Sequence, residues 1–570
     1  MPLHDGERPI GVVTSVNGSQ ATARLDAAAT TGHGATRLTI GRLVAMQTHH
    51  SRVVGVIARL TARSEGDGAD LLADIDLLGE IRNHGQANAF FQRGVTDYPT
   101  IGDRLAEIGP EELKLIHRIA GGETIEVGRL QLDSSIPAYV NFDEMLHKHF
   151  AILGTTGVGK STSVSLILNE ILKKNTNLRI LLIDPHNEYA GCFGEQAKVV
   201  SPKNLRLPYW LFNFEEIVDV FFRGRPGVEE ETEILGELIP TAKAQYASNR
   251  SDRTLVRRVA SGHTADTPIP YRISDLVSLI KDRMGKLENR SSWTKYQRLV
   301  SRIESLGHDS RYAFMFDNLF VDDIMAGVIA ELFRLPPKGQ PITVMQLAGF
   351  PSEVVDSVVS VLCRMAFDFG TWSDGAAPIL VACEEAHRYV PADRRLGFGP
   401  TRKALSRIAK EGRKYGVYLA AVTQRPAELD PTILSQCSTV FAMRLSNDRD
   451  QAIVQSAIPD AGSSLLNFLP SLGTAEAIAF GEGVALPTRF HFSEVPRDRV
   501  PQSHAGKSNR DLQSVGEVDG DFISAVVDRW REATTSTPRP RLAVVDSDGD
   551  VGRSDWLGSS HYAPDPADFC

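Results

Sequence analysis

Between residues 150 and 445 the chain alternates two patterns. Short runs that are apolar at nearly every position recur at Phe150–Leu153, Arg179–Ile183, Ile342–Leu347, Ile379–Cys383, Val417–Thr423 and Thr439–Leu445. Most are separated by stretches whose apolar residues fall every three or four positions, as in Thr162–Lys174 with Val164, Ile167, Leu168, Ile171 and Leu172. An unbroken apolar run suits a strand buried on both faces, and the wider spacing suits a helix with one buried stripe. The alternation predicts an α/β fold built on a doubly wound, largely parallel sheet. A long segment, roughly 205–338, interrupts it between the second and third strands. Its periodicity is mostly helical, for example at Ile217–Phe222 and Ile273–Met284, so a helical insertion is expected there.

Residues 1–105 are patterned differently. Ile10–Val16, the turn pair Asn17-Gly18 and Gln20–Leu25 read as a hairpin, and short strands follow at Leu43–Met46, Val53–Leu60 and Leu71–Leu78. Short strands at regular spacing predict a small all-β barrel domain. A linker with Pro99, Gly102, Gly109, Pro110, Gly121 and Gly122 leads into the first part of the core, so that 106–204 and 339–495 flank the insertion. Beyond that, 496–570 reads as a tail or brace with one candidate helix, Phe522–Trp530, and one candidate strand, Leu542–Val545.

The first apolar run of the core ends in Gly154-Thr155-Thr156-Gly157-Val158-Gly159-Lys160-Ser161, which fits GxxxxGK[ST] at every fixed position. Strand, glycine loop and helix in that order make a P-loop, whose backbone N–H groups cradle phosphate oxygens at a helix N-terminus. Residues 154–162, through Thr162, are therefore candidates for binding a nucleoside triphosphate. Lys160 is expected to reach the β- and γ-phosphates, and the Ser161 hydroxyl to ligate Mg²⁺. In Pro378–Arg388 a second apolar run ends in Glu384-Glu385. An apolar strand ending in two acids downstream of a P-loop reads as a Walker B element. Glu384 stands where Asp is usual and would hold Mg²⁺ through its water shell, and Glu385 would polarise the attacking water.

Two further stretches carry candidates. In Leu181–Tyr189, Asp184 is expected to end the strand next to the P-loop strand and to place a second polar group near the water or metal; the alternative is a turn residue before Pro185. His186 and Glu188 stand behind it in the same stretch. In Arg407–Pro426, Gln424 ends a core strand, where an amide could sense the γ-phosphate. Arg413 lies at the other end of that strand, away from its own nucleotide, where in a ring it would face a neighbour's phosphates. Arg407 is a second candidate, against the reading of a solvated helix-face charge.

Charge sharpens one point. The 570 residues carry a formal net charge of −9, which excludes a globally basic nucleic-acid coat. Yet Arg388–Lys414 holds nine Lys/Arg against Asp393 and Glu411, a local excess suited to phosphates of ATP or DNA. Within it, Arg394-Arg395 and Arg402-Lys403 flank the glycine-rich loop Leu396–Pro400, a candidate DNA contact. Five scattered cysteines, with no CxxC, argue against zinc or disulfide frameworks and for a cytoplasmic protein. No apolar run approaches the ~20 residues a membrane span needs. No nuclease motif of metal-ligating acids stands out in the flanking regions.

Together GTTGVGKS, LLIDPHNEY, LVACEEAHRYVP and EGRKYGVYLAAVTQRP, continued by LDPTILSQCSTVFAMRL, resemble the HerA branch of the HerA/FtsK family of ring ATPases over about residues 8–495. The pairing of DPHNEY with CEEAHRY singles out this branch. The resemblance implies a RecA-like core, a barrel domain and a helical bundle. It also implies a homo-oligomer, in that family a hexamer, that drives double-stranded DNA through its pore with ATP and Mg²⁺. ATP sites would lie between subunits, with Arg413 or Arg407 acting on the neighbour. A nuclease or other effector would dock on the N-terminal barrel, in DNA-end processing or antiphage defence. The alternative is a nucleotide-controlled ring scaffold that assembles and activates an effector enzyme.

Overall fold

A computed structural model describes residues 9–26, 38–65, 68–119, 121–222, 225–250, 262–286, 290–316, 321–457 and 463–502, together with 524, 527 and 528. The candidate strand Leu542–Val545 and most of the candidate helix Phe522–Trp530 lie outside the described residues.

The N-terminal strands are β1 (Pro9–Val16), β2 (Gln20–Leu25), β3 (Leu43–Gln47), β4 (Arg52–Glu65), β5 (Gly68–Arg82), β6 (Phe90–Arg93) and β7 (Arg104–Glu107). They run in the order β2-β1-β7-β3-β4-β5-β6, and β2 also pairs with β5. That pairing closes six strands into a barrel and leaves β6 outside the ring. The Asn17 side chain sets the first hairpin by accepting the Ser19 and Gln20 amides. Inward-pointing residues such as Val13, Ala23, Val44, Ile57 and Ile75 fill the barrel.

The second sheet has eleven strands, in the order β12-β13-β11-β14-β15-β10-β16-β17-β18-β8-β9. These are β8 (Thr124–Leu130), β9 (Pro137–Asn141), β10 (His149–Leu153), β11 (Arg179–Asp184), β12 (Ala197–Val200), β13 (Ile342–Gln346), β14 (Ile379–Cys383), β15 (Val417–Thr423), β16 (Cys437–Met443), β17 (Glu476–Gly481) and β18 (Thr488–Phe492). From β12 to β16 neighbours are parallel, and from β16 to β9 they are antiparallel. The P-loop helix, α1 (Lys160–Lys174), packs on one face, and α2 (Ser352–Trp372) with α3 (Gly399–Glu411) on the other. Alternate residues divide between the faces: Phe150 and Ile152 lie on the side of α1, Ala151 and Leu153 on the side of α2. Every residue of β10 and of β14 is buried, as their unbroken apolar runs require.

Two expectations are corrected here. The strand carrying Asp184 is not next to the P-loop strand, because β14 and β15 lie between β11 and β10. And residues 124–141, beyond the linker glycines and given no strand from the sequence, supply β8 and β9, which extend the same sheet by pairing with β18.

The helices of the insertion, among them Phe214–Phe222, Glu229–Arg250, Ile273–Gly285 and Arg290–His308, bury Phe221, Leu235, Leu276 and Ile303 in one core with Val358 and Leu362 of α2. Glu216 fastens this junction. It is fully buried and meets Arg364 of α2 at 2.9 Å and Ser360 Oγ at 2.7 Å. The barrel is seated on the core by Leu43, Val56 and Ile81 against Leu113, Ile116 and Ile125.

His149 opens β10 and ties it to its surroundings. Its Nδ1 accepts the Leu419 amide at 3.0 Å, so the ring proton sits on Nε2, 3.0 Å from the Ala409 carbonyl. Burial pulls the His149 pKa from its ordinary 6.5 to about 4, and that of His117 likewise to about 4. In the window between those values the unfolded chain binds protons that the folded chain does not. Stability is therefore lost as pH falls from about 6.5 through about 4, by on the order of 3 kcal/mol per histidine. Thermal unfolding followed across that window should show the midpoint of His149→Gln falling less with acid than the wild type's.

Candidate active site

The P-loop joins the C-terminal end of β10 to the first turn of α1. Gly157 and Gly159 take positive φ, 79° and 95°, the region in which a Cβ is strained. Val158 between them is fully buried and anchors the loop, while its carbonyl accepts the Ala475 amide at 2.9 Å. No side chain caps the N-terminus of α1, so its first N–H groups stay available to an anion. Residues 154–162 thus form one phosphate-sized cradle, with Thr156 and Gly157 exposed and Lys160 buried.

Lys160 is met by the two acids at the end of β14. Its Nζ lies 3.7 Å from Glu385 Oε1. Glu384 is buried beside it: burial pushes its pKa up to about 7, Lys160 pulls it back and Glu385 pushes it further. Glu384 Oε2 has no hydrogen-bond partner among the described residues. An orphaned, buried carboxylate oxygen beside a P-loop is what a hydrated Mg²⁺ would satisfy, so the residues fit the metal. Glu385 sits at φ 53° and ψ 44°, a left-handed backbone that costs a non-glycine residue about 1–3 kcal/mol. The turn aims its carboxylate at Lys160 and between two histidines. His186 Nε2 is 3.9 Å from Oε1, and His387 Nδ1 is 3.3 Å from Oε2.

His387 is a residue the sequence reading passed over. It bonds Thr423 Oγ1 at 2.9 Å at the end of β15, and burial pulls its pKa below the ordinary histidine range. Its place two residues beyond Glu385, on a one-turn helix, was the available signal. Gln424 follows Thr423 directly, and β15 runs between β10 and β14. Its Oε1 accepts the Thr156 hydroxyl, which brings the candidate sensor onto the P-loop itself.

Asp184 is turned to another use. It is fully buried, and its two oxygens accept the Glu188 and Tyr189 amides at 3.1 and 3.0 Å. Burial raises its pKa. In the same stretch Glu188 reaches the P-loop, its Oε2 accepting the Ser161 hydroxyl at 3.1 Å, and the Tyr189 hydroxyl also lies beside Ser161.

Arg413 is exposed on the turn before β15, at the opposite end of the sheet from the P-loop. With Arg93, Lys148 and Lys410 it lines a cavity of about 610 Å³. Arg407, in contrast, lies over the Phe367 ring at 4.1 Å and 3.7 Å from Asp368, so it is engaged within its own chain. Other cations of the basic run are engaged too. Arg402 donates to the carbonyls of Arg394, Asp393 and Leu396, bracing the candidate DNA loop, and Lys403 pairs with Glu215. Arg394, Arg395 and Leu396 stand exposed on that loop, although Arg395 is paired with Asp393.

The family model described as the central domain of helicase HerA matches residues 125–366. Over that stretch the chain is similar to the HerA family of P-loop ATPases. A probable helicase of Methanocaldococcus jannaschii is 26% identical over 80% of this chain and 81% of its own length. The DNA double-strand break repair helicase HerA of Pyrococcus furiosus is 25% identical over 73% of this chain and 76% of its own. Among solved structures, VirB4 of Thermoanaerobacter pseudethanolicus aligns with 67% of this chain and 99% of its own at a TM-score of 0.44 and 14% identity.

Glu385 is the candidate for taking a proton from water, set at the end of β14 against Lys160. Glu385→Gln keeps the size and loses the base. ATP turnover should fall about 10²–10⁴-fold while binding of a fluorescent ATP analogue and the unfolding midpoint hold. Steady-state phosphate release beside a nucleotide titration checks both halves.

Proposed function

We propose that this chain is the subunit of an ATP-driven ring, a hexamer by resemblance, that translocates double-stranded DNA. The observation that carries the reading is the separation of two cations within one chain. Lys160 sits at the C-terminal end of the strands, and Arg413 precedes the seven-residue strand β15, about 23 Å away at ~3.3 Å per residue. Arg413 cannot reach its own γ-phosphate, so a neighbouring subunit's phosphate is what it fits. An arginine delivered this way stabilises charge spreading over the transferred phosphoryl group.

Within one site the roles follow from the geometry. Backbone N–H groups of 154–159 and Lys160 hold the phosphates. Ser161 and, through water, Glu384 would hold Mg²⁺, which neutralises charge on the β- and γ-oxygens. Glu385 takes a proton from the attacking water, and its neighbours Lys160 and His387 keep it in place. Gln424, bonded to Thr156, is placed to register loss of the γ-phosphate.

DNA enters the reading through the relative named as a double-strand break repair helicase and through the exposed Arg394–Leu396 loop. That loop is tied to the sensor. Ala392 N donates to Glu428 O at 2.8 Å and Asp430 N to Val390 O at 2.9 Å, so movement of Gln424 would pass through Arg425–Leu429 to the loop. A nuclease or other effector would dock on the barrel. Support for that comes from large apolar residues exposed on the unclosed strand β6 (Phe90) and in the segment that follows it (Tyr98 and Ile101). Among the described residues no helix is long and apolar enough to cross a membrane.

Steady-state ATP turnover with and without linear duplex DNA tests the motor, with Lys160→Ala as the blank. Several-fold stimulation by duplex is expected. Turnover that needs Lys160 yet ignores duplex at low salt in a confirmed ring would remove DNA as the trigger. Arg413→Ala should lower turnover about 10³-fold or more while ATP binding persists. Mixing it with Glu385→Gln protein should restore part of the activity if the arginine acts across subunits.

A further inference from the structure

The loop Asp184–Tyr189 is held far more firmly than a connection needs to be. Asp184 caps it from within by accepting two of its amides. Asn187 takes φ 58°, a left-handed backbone, at its apex. The Asn187 amide grips Ala348 from both sides, donating to its carbonyl at 3.1 Å and accepting its N–H at 3.3 Å. Gln502 N adds a bond to the Glu188 carbonyl at 3.0 Å. Five hydrogen bonds and one strained residue thus fix a six-residue loop, and strain of this kind persists where the surroundings over-determine the position. What they fix is the Glu188 side chain. It is half-buried, with Oε2 on the Ser161 hydroxyl at 3.1 Å.

We propose that Glu188 is the positioning residue of the Mg²⁺ site, orienting Ser161 toward the metal and accepting a hydrogen bond from the metal's water shell; this rests on the ATP and Mg²⁺ reading above. A serine hydroxyl has one proton and two lone pairs. To offer a lone pair to a cation it must give its proton to some other acceptor. Glu188 is that acceptor, its Oε2 taking the Ser161 hydroxyl proton. Mg²⁺ keeps several waters when it binds with substrate phosphates, and those waters need acceptors beyond the metal's own ligands. Glu188 therefore takes the place that the sequence offers first to Asp184, and Asp184 is the residue that puts it there. Groups that orient a metal's ligands commonly cost 10–100-fold in metal affinity when removed.

The test uses the full-length protein and N-methylanthraniloyl-ATP as the probe, with free Mg²⁺ titrated from excess EDTA upward. In the wild type the metal should tighten binding of the probe. Glu188→Ala should raise the half-saturating Mg²⁺ about 10–100-fold, leave metal-free binding as it was, and hold the unfolding midpoint. Glu188→Gln keeps an acceptor for Ser161 without the charge and should fall between the two. A half-saturating Mg²⁺ for Glu188→Ala equal to the wild type's overturns the proposal. So does equal weakening of binding with and without metal, which would mark a structural role only. If the wild type binds the probe with no dependence on Mg²⁺, the ATP and Mg²⁺ reading itself fails, an outcome separable from the others because it needs no variant.

Discussion

Lys160 is buried, and a buried ammonium must be met by negative charge and hydrogen bonds. Much of the core is arranged around that requirement. The lysine is fixed by the P-loop at the end of β10. The acids that answer it, Glu384 and Glu385, end β14, and β15 lies between the two strands with Gln424 at its tip. Three strands must therefore end within two residues of one another. Parallel register sets that alignment: Leu153 is opposite Thr423, and Cys383 opposite Ala421. A one-residue slip would turn every side chain to the other face and carry the acids away from the lysine. Burial, with Glu385 beside it as a lesser cause, raises the Glu384 pKa, and a divalent metal bound with phosphates would offset that cost.

What was legible in the chain was whatever is encoded locally. The P-loop and the Glu384-Glu385 pair are contiguous words, and each lies at the end of an apolar run that marks its strand. The barrel was legible because alternation and turn residues are also local. Strand order was not. β10, β11 and β14 look alike along the sequence, being unbroken apolar runs, and nothing in such a run says which neighbour it takes. That is why Asp184 was placed one strand from the P-loop when two intervene. The antiparallel extension was hidden for a different reason. β8 carries Glu126 and Arg129, β9 has the exposed Tyr139, and Gly121 and Gly122 precede β8, so neither stands out as a strand until β18 supplies a partner.

The Asp184 stretch shows the same limit at the scale of a single site. Sequence offers an acid at a strand end, and strand ends face ligands in such sheets. Whether the carboxylate is free depends on the turn that follows. Here the turn folds back and takes both oxygens. The acid four residues on, which alone looks like a solvated loop charge, gains the contact to Ser161. Arg407 and Arg402 follow the same rule, since aromatic and carbonyl partners claim guanidinium groups that the bare charge run leaves open.

Arg413 runs the other way. It lies at the edge of a sheet whose nucleotide end is already supplied with one cation, on a three-residue spacing with Lys410 and beside a wide cavity. A chain that buried this arginine on a local acid would be more self-contained and no better an ATPase, because charge is needed at the phosphoryl group only in the transition state. On the proposed ring reading, leaving it at the far edge would make the reaction depend on a second chain. Hydrolysis would then answer to how neighbouring subunits sit against one another, and a movement that brought Arg413 to a phosphate would shift β15, whose other end carries Gln424 and, through Leu429, the Arg394–Leu396 loop. One strand would then have a neighbour's phosphate at its start and its own at its end. Such an arrangement would let turnover in one subunit be felt in the next without any added coupling element.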